Sequence, residues 1–151
     1  MKKILFILLI SFSAFGYSQS INDDKTSLTN FIKRMYNASP FEGVKVIDDY
    51  DHQYFISVLS LEKAKYPSES TMFRVAQVKG QSQASTFFNG STISSDLVIK
   101  TTEKENTTTV ETIESIKENA IGFVKSMELL TNFEDNDGKR VVFIFYKEIT
   151  K

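Results

Sequence analysis

Six consecutive apolar residues near the end of the chain, Val141-Val142-Phe143-Ile144-Phe145-Tyr146, constrain the fold more than any other feature. Side chains alternate sides along a strand, so Val141, Phe143 and Phe145 share one face and Val142, Ile144 and Tyr146 the other. A strand with a core on one side and water on the other should alternate apolar with polar residues. Here both faces are apolar, and in Tyr54-Phe55-Ile56-Ser57-Val58-Leu59 they nearly are. The sheet that holds these strands therefore needs cover on two sides, from helices of the same chain or from another chain.

Two stretches have the spacing of covering helices. Leu28, Phe31, Ile32, Met35 and Tyr36 form one stripe of an amphipathic helix. Asp23 and Asp24 favour its positive N-terminal end, and Pro40 ends it by Ser39. A second helix should open at Ser68, a good N-cap just after Pro67, with the stripe Phe73, Ala76, Gly80, Ala84 and Phe87. A glycine inside a helix costs ~1 kcal/mol relative to alanine. Gly80 should therefore sit where the helix closely approaches the sheet. Asn89-Gly90 should supply a left-handed stop. The face Val141, Phe143 and Phe145 should meet the helix carrying Phe73, Ala76 and Phe87. The other face, Val142, Ile144 and Tyr146, is either covered by the helix Leu28 to Tyr36 or is an interaction face.

The remaining β signals are two hairpins and a connecting stretch. Val44 to Ile47 and Tyr54 to Leu61 flank the polar turn Asp48-Asp49-Tyr50-Asp51-His52-Gln53. Thr92 to Thr102 reads as a strand, followed by a turn near Glu105-Asn106. Gly122 to Phe133 and Val141 to Tyr146 are joined by Glu134-Asp135-Asn136-Asp137-Gly138, a hairpin turn. Thr108 to Asn119 fits two patterns. Val110, Ile113, Ile116 and Ala120 could line a helix, but the threonine and isoleucine content favours a strand arm. The expectation is an α+β fold in a single domain, an antiparallel sheet of about five to six strands with two helices. Residues 19–40 form the N-terminal helical segment and 43–148 the sheet plus helix.

The chain opens Met1-Lys2-Lys3 and then runs almost purely apolar from Ile4 to Phe15. Two positive charges, a short apolar run and small residues at Gly16 and Ser18 are the pattern of a secretory signal peptide. A membrane-spanning helix needs ~20 apolar residues, which this run does not reach. Cleavage is expected between Ser18 and Gln19, giving a signal peptide over 1–18 and an exported domain over 19–151, in the periplasm or outside the cell. The basic start is bacterial in style. The chain has no cysteine. That excludes lipidation on a cysteine, disulfides, thiol catalysis and zinc–thiolate sites. Without Lys2 and Lys3, the 18 basic side chains become 16 against 19 acidic ones, a net −3. A mildly acidic domain is a poor partner for nucleic acid or an anionic membrane.

The residues that could carry chemistry do not assemble into a motif. His52 is the single histidine. It follows Asp48, Asp49 and Asp51, but zinc wants three or four nitrogen or sulfur ligands. A polar turn is the better reading. Asp135-Asn136-Asp137-Gly138 resembles a calcium loop, yet the flanking ligand positions hold Phe133 and Ile144, so an Asp-Gly turn is expected instead. No Gly-x-Ser-x-Gly elbow and no Gly-rich phosphate loop is present. Glu111/Glu114 and Glu103/Glu105 read as solvated surface rather than a glycosidase pair. Tyr50, Tyr54 and Tyr66 could line a surface patch.

Several short features fall in a recognisable order. Ala76, Ala84 and Phe88-Asn89-Gly90 mark an Ala-containing helix. Ile93-Ser94-Ser95 marks a strand, Gly122-Phe123-Val124-Lys125 a Gly-Phe-Val strand, and Asp137-Gly138-Lys139 a turn leading into Val141 to Tyr146. In this order, residues 73–148 resemble the N-terminal domain of the flagellar protein FlgT and the related small outer-membrane lipoproteins of the LPP type. The resemblance implies an α+β envelope domain that makes protein contacts. It carries over no catalytic residue. Lipid anchoring does not carry over, because the lipoprotein cysteine is missing.

The sequence therefore leads to an exported, non-catalytic envelope protein acting through protein–protein contacts or self-assembly, with a small-ligand or carbohydrate-binding domain as the alternative. Another envelope protein or a second copy is the expected partner, with no nucleic acid and no stable membrane anchor after signal cleavage. No cofactor or metal is expected. The candidate interaction face is Val142, Ile144 and Tyr146.

Overall fold

The computed structural model describes residues 23–49, 52–90, 97–101 and 107–149. The signal segment, its cleavage point, Tyr50, Asp51, Ile93-Ser94-Ser95 and the turn near Glu105-Asn106 lie outside the described residues. The chain divides into two compact units, Met1–Arg34 and Met35–Lys151. The boundary falls within helix α1 (Asp23–Ala38). Leu28, Ile32 and Tyr36 of the expected stripe are buried. The helix ends as Pro40 requires, with Ser39 N–H donating to the Met35 carbonyl at 3.0 Å.

The second unit holds the whole sheet. Its strands are β1 (Gly43–Asp49), β2 (His52–Glu62), β3 (Val98–Lys100), β4 (Glu128–Glu134) and β5 (Arg140–Ile149). Their order across the sheet is β3-β1-β2-β5-β4. The two doubly apolar strands, β2 and β5, lie next to each other near the centre, antiparallel, with Ile56 opposite Tyr146 and Leu59 opposite Phe143. β1 and β2 form the expected hairpin, but the strands run further into the turn than their composition suggests. Asp49 pairs with His52 and Asp48 with Gln53.

Helix α2 (Glu69–Gly90) crosses one face of this sheet. Ser68 caps it as expected, its Oγ accepting from Thr71 N–H at 3.2 Å. Met72, Ala76, Gly80, Ala84 and Phe87 are buried along its inner side. Phe73 meets Phe143 edge-on at 5.1 Å, so the face Val141, Phe143 and Phe145 meets the helix as expected. Further along, Phe55, Phe87, Phe88 and Phe123 form a ring cluster with centroids 5.0 to 5.5 Å apart. Such pairs add ~0.5–1.5 kcal/mol each beyond their burial. The Ser57 hydroxyl lies 3.2 Å from the Gly80 carbonyl and 2.6 Å from Gln83 Oε1. One proton cannot serve both acceptors, so turning the Gln83 amide over, to donate to Ser57, satisfies all three groups.

The α+β class holds, and three details of it change. The sheet is mixed rather than antiparallel, because β3 runs parallel to β1, with Val46 opposite Val98. Among the described residues four α-helices are present where two are expected. The stretch favoured as a strand arm is α3 (Thr107–Lys117), and the expected Gly-Phe-Val strand lies in α4 (Ala120–Lys125). Threonine and isoleucine disfavour a helix by only a few tenths of a kcal/mol each. Burying a side chain such as Ile113, fully buried here, contributes ~1.5–3 kcal/mol. Packing therefore outweighs propensity. In α4 the same holds: Phe123 enters the ring cluster and Val124 the core. Gly90 closes α2 without a left-handed φ. Among the described glycines Gly43 (121°) and Gly138 (67°) take one. No helix among the described residues is long and apolar enough to cross a membrane.

Candidate functional site

The expected interaction face is corrected by its burial. Val142 and Ile144 are 0% exposed and Tyr146 is 8% exposed. On the same side of the sheet Ile47, Tyr54, Ile56 and Val58 are also buried. The sequence shows that this face needs cover, and the chain buries it without a partner.

Of the other sequence candidates, one pair comes together and the rest lie apart. His52 and Asp49 face each other across the β1–β2 turn. Asp48, the neighbouring strand residue, points to the opposite side and is 3% exposed. His52 Nδ1 lies 2.7 Å from Glu148 Oε1, and its ring stacks on Tyr54 at 6.0 Å. Asp49 Oδ1 accepts from the Thr101 hydroxyl at 2.7 Å. Among the described residues no group of three or more histidine and carboxylate side chains could hold a metal ion. Glu114 pairs with Lys117 at 3.2 Å. The Asp-Gly turn forms as expected. Gly138 N–H donates to the Asp135 carbonyl at 3.0 Å, and Asp137 Oδ1 accepts from Lys139 N–H at 2.8 Å. Of the three tyrosines read as a possible patch, Tyr54 is buried beside Tyr146, whereas Tyr66 is half-buried in a groove elsewhere.

A second polar cluster is structural. The Arg140 guanidinium donates to Ser60 Oγ at 2.5 Å and to the Ser60 carbonyl at 3.0 Å, and it pairs with Glu42 at 3.2 Å. Tyr36 hydrogen-bonds to the same Ser60 hydroxyl and packs edge-on against Phe133 at 5.5 Å. Burial pushes the Tyr36 phenol above its ordinary range, and the carboxylates of Glu42 and Asp135 add to the shift. Through these contacts Arg140 ties β5 to β2 and to Glu42, the residue just before β1.

The feature best suited to binding is a groove of about 360 Å³ between the start of α2 and β4. Met72 and Phe73 come from the first turns of α2, and Val141 from β5. Tyr66 supplies a half-exposed aromatic wall. Asn132 and Glu134 come from β4, with Glu69 on the helix side. The groove is held in shape at two points. Lys63 Nζ pairs with Glu134 Oε1 at 2.5 Å. Lys63 N–H donates to the Lys139 carbonyl at 3.0 Å, fastening the exit of β2 to the β4–β5 turn. An apolar floor with a few polar groups at the rim is what a binding site requires. β4 itself is the most exposed of the four long strands. Its seven residues include none that is buried, and Leu129 is 39% exposed.

Of the groove residues sequence reasoning read only Tyr66 as part of a possible surface patch; Ser68, Phe73, Glu134 and Val141 were read as cap, stripe, turn and strand, and Lys63, Glu69 and Asn132 were missed. These are ordinary surface types with no motif spacing, and they meet only through the hairpin β4–β5 and the crossing of α2. The structure is an α+β domain in which β4 is the last described strand on its side of the sheet, with a groove beside it. Comparison with protein families, characterised proteins and solved structures finds no match for the chain.

Proposed function

We propose that this chain is an exported, non-catalytic domain that works through protein–protein contact, and that its contact site is the α2–β4 groove with the adjoining residues of β4. The observation that carries the reading is the exposed strand β4 beside a preformed, partly aromatic groove, in a molecule whose other apolar sheet face is already buried. The basic and apolar start of the chain and its lack of cysteine support export. The helix and hairpin features of the resemblance to small envelope domains support the same setting, whereas its Gly-Phe-Val strand does not, because that segment is helical in α4. Around His52, the place where histidine and carboxylates adjoin in sequence, Asp48 lies on the opposite side of the sheet and the ring is held by Glu148 and Tyr54, which supports a structural role for this cluster.

Site-specific photo-crosslinking tests the site. A crosslinking residue at Asn132, in the groove, should capture a partner protein in export-competent cells. One at Gln77, on the exposed side of α2, should not. A product of twice the chain mass would identify self-assembly. Equal capture from both positions, or none from Asn132, would remove the groove from consideration. Export is tested separately by sequencing the product's N-terminus, expected at Gln19.

The volume and aromatic lining of the groove favour one alternative, a small-ligand or carbohydrate site. In that case Asn132→Trp, which fills the groove from an exposed position, lowers affinity for a sugar or small amphiphile and leaves every protein contact unchanged.

A further inference from the structure

We infer that the occupant of the groove is a second copy of this chain, which inserts Ile121 of its helix α4 over Met72 and Phe73 and sets Lys125 against Glu69. The inference rests on the groove being a protein-contact site and names what enters it.

Three charged side chains line the groove, Lys63, Glu69 and Glu134. Lys63 and Glu134 neutralise each other as an ion pair. Glu69 is exposed, and among the described residues no hydrogen bond or ion pair engages its carboxylate. It stands in the first turn of α2, whose positive end offsets only about half of one charge. One net negative charge is thus left to be matched. Met72 and Phe73 follow Glu69 by three and four residues, the spacing that places helical side chains about 5–6 Å apart on one face. The groove therefore offers an apolar floor with an acid one helical turn away. Its volume of about 360 Å³ lies at the small end of binding sites, ~300–1,000 Å³, and suits one large side chain rather than a long segment.

The same chain carries the complement. Ile121 is 74% exposed, more than Val78 at 66% and Leu129 at 39%. Lys125 follows Ile121 by four residues in α4, on the same face of the helix. Lys125 is exposed, and among the described residues it has no acidic partner. The other two exposed apolar residues fit less well. Val78 adjoins Lys79, but adjacent residues of a helix do not face the same way, and Leu129 adjoins the acid Glu128. An α4 laid antiparallel to the first turns of α2 brings Ile121 onto the floor and Lys125 onto Glu69 together.

One molecule cannot make this contact with itself. Helix α4 packs at the far end of α2, where Phe123 meets Phe88 at 5.5 Å. Phe88 follows Phe73 by about four helical turns, ~22 Å along the axis. Knob and groove are different patches at opposite ends of α2, so the contact is head-to-tail. It leaves a knob free at one end of any open assembly and a groove at the other.

The test is the mass of the purified chain by sedimentation as a function of concentration. It should rise, and go on rising past the dimer. Ile121→Glu and Glu69→Lys, both at exposed positions, should keep the parent's circular-dichroism spectrum and each remain monomeric. Mixed together they should stop at the dimer, because one retains the groove and the other the knob. Lys125→Gln should weaken association by about two- to fivefold, and Lys125→Glu combined with Glu69→Lys in one chain should restore it. A parent that stays monomeric, folded single variants that assemble like the parent, or a mixture that stays monomeric would overturn the inference. Crosslinking from Asn132 to a different protein would also overturn it and leave the contact reading standing, whereas no capture from Asn132 would remove both.

Discussion

Gly80 sits so close to Phe145 that a Cβ at position 80 would lie 2.7 Å from the ring carbon Cδ2. Carbon atoms in good contact stand ~3.5–4.0 Å apart, so the pair leaves no room for a methyl group. The glycine that interrupts the stripe of α2 is thus the point where the helix touches β5. Ala76 and Ala84, both fully buried, extend the close approach on either side.

Substitution at Gly80 should therefore destabilise despite improving helix propensity. Gly80→Ala gains ~1 kcal/mol in the helix and loses ~1–3 kcal/mol to overpacking against a buried ring. Gly80→Leu should melt well below Gly80→Ala. Pairing Gly80→Ala with Phe145→Leu should recover part of the loss in a thermal-melt double-mutant cycle. A Gly80→Leu protein melting no lower than the parent would show that the helix shifts freely.

Val142→Glu and Ile144→Glu place a carboxylate where the native side chain is fully buried. The desolvation cost is several kcal/mol, comparable with the whole stability of a small domain. Both variants should lose the cooperative melt and the folded circular-dichroism spectrum. A variant that stayed folded and merely lost an association would restore this face as a binding surface.

Asp137 makes the β4–β5 turn sensitive to acid. Its carboxyl is held below the ordinary range first by the Lys139 backbone N–H, with the Lys139 and Arg140 charges acting in the same direction. A depressed value stabilises the fold above the unfolded-chain value of about 3.9, and this contribution is lost as pH falls through the folded value. The difference in urea midpoint between the parent and Asp137→Ala should be constant near neutrality and shrink below about pH 4. A difference independent of pH would mean that the carboxylate charge plays no part in the turn.

Tyr36 should act at the other end of the pH scale. Its phenol is raised first by burial and then by Glu42 and Asp135, against the opposing pull of Ser60 and Arg140. The neutral form is the favoured one. Its contribution is therefore present below the unfolded value of about 10 and is lost as pH rises through the folded value. Absorbance titration should show one tyrosine ionising late, and Tyr36→Phe should remove that step. Its persistence in Tyr36→Phe would assign the late step to another tyrosine.

Local chemistry was enough to place much of this fold. The stripe Leu28, Ile32 and Tyr36, the Ser68 cap, the Asp-Gly turn and the close approach at Gly80 all follow from residue types at fixed short spacings, because helix periodicity, capping and turn geometry are interactions within a few residues. The double apolar strand Val141–Tyr146 likewise determined that the sheet is buried on both sides. It left open whether the chain or a partner supplies the cover, since an apolar side chain is satisfied equally by either. Tertiary structure alone decided that Thr107–Lys117 and Gly122–Lys125 are helical, where burial of Ile113 and Phe123 outweighs weak strand preferences. It alone paired β3 parallel to β1 across about fifty residues of chain, a contact no local pattern encodes. The groove belongs to the same class. Tyr66, Phe73, Asn132 and Glu134 are unremarkable where they stand in sequence, and become a site only because α2 crosses the sheet beside β4.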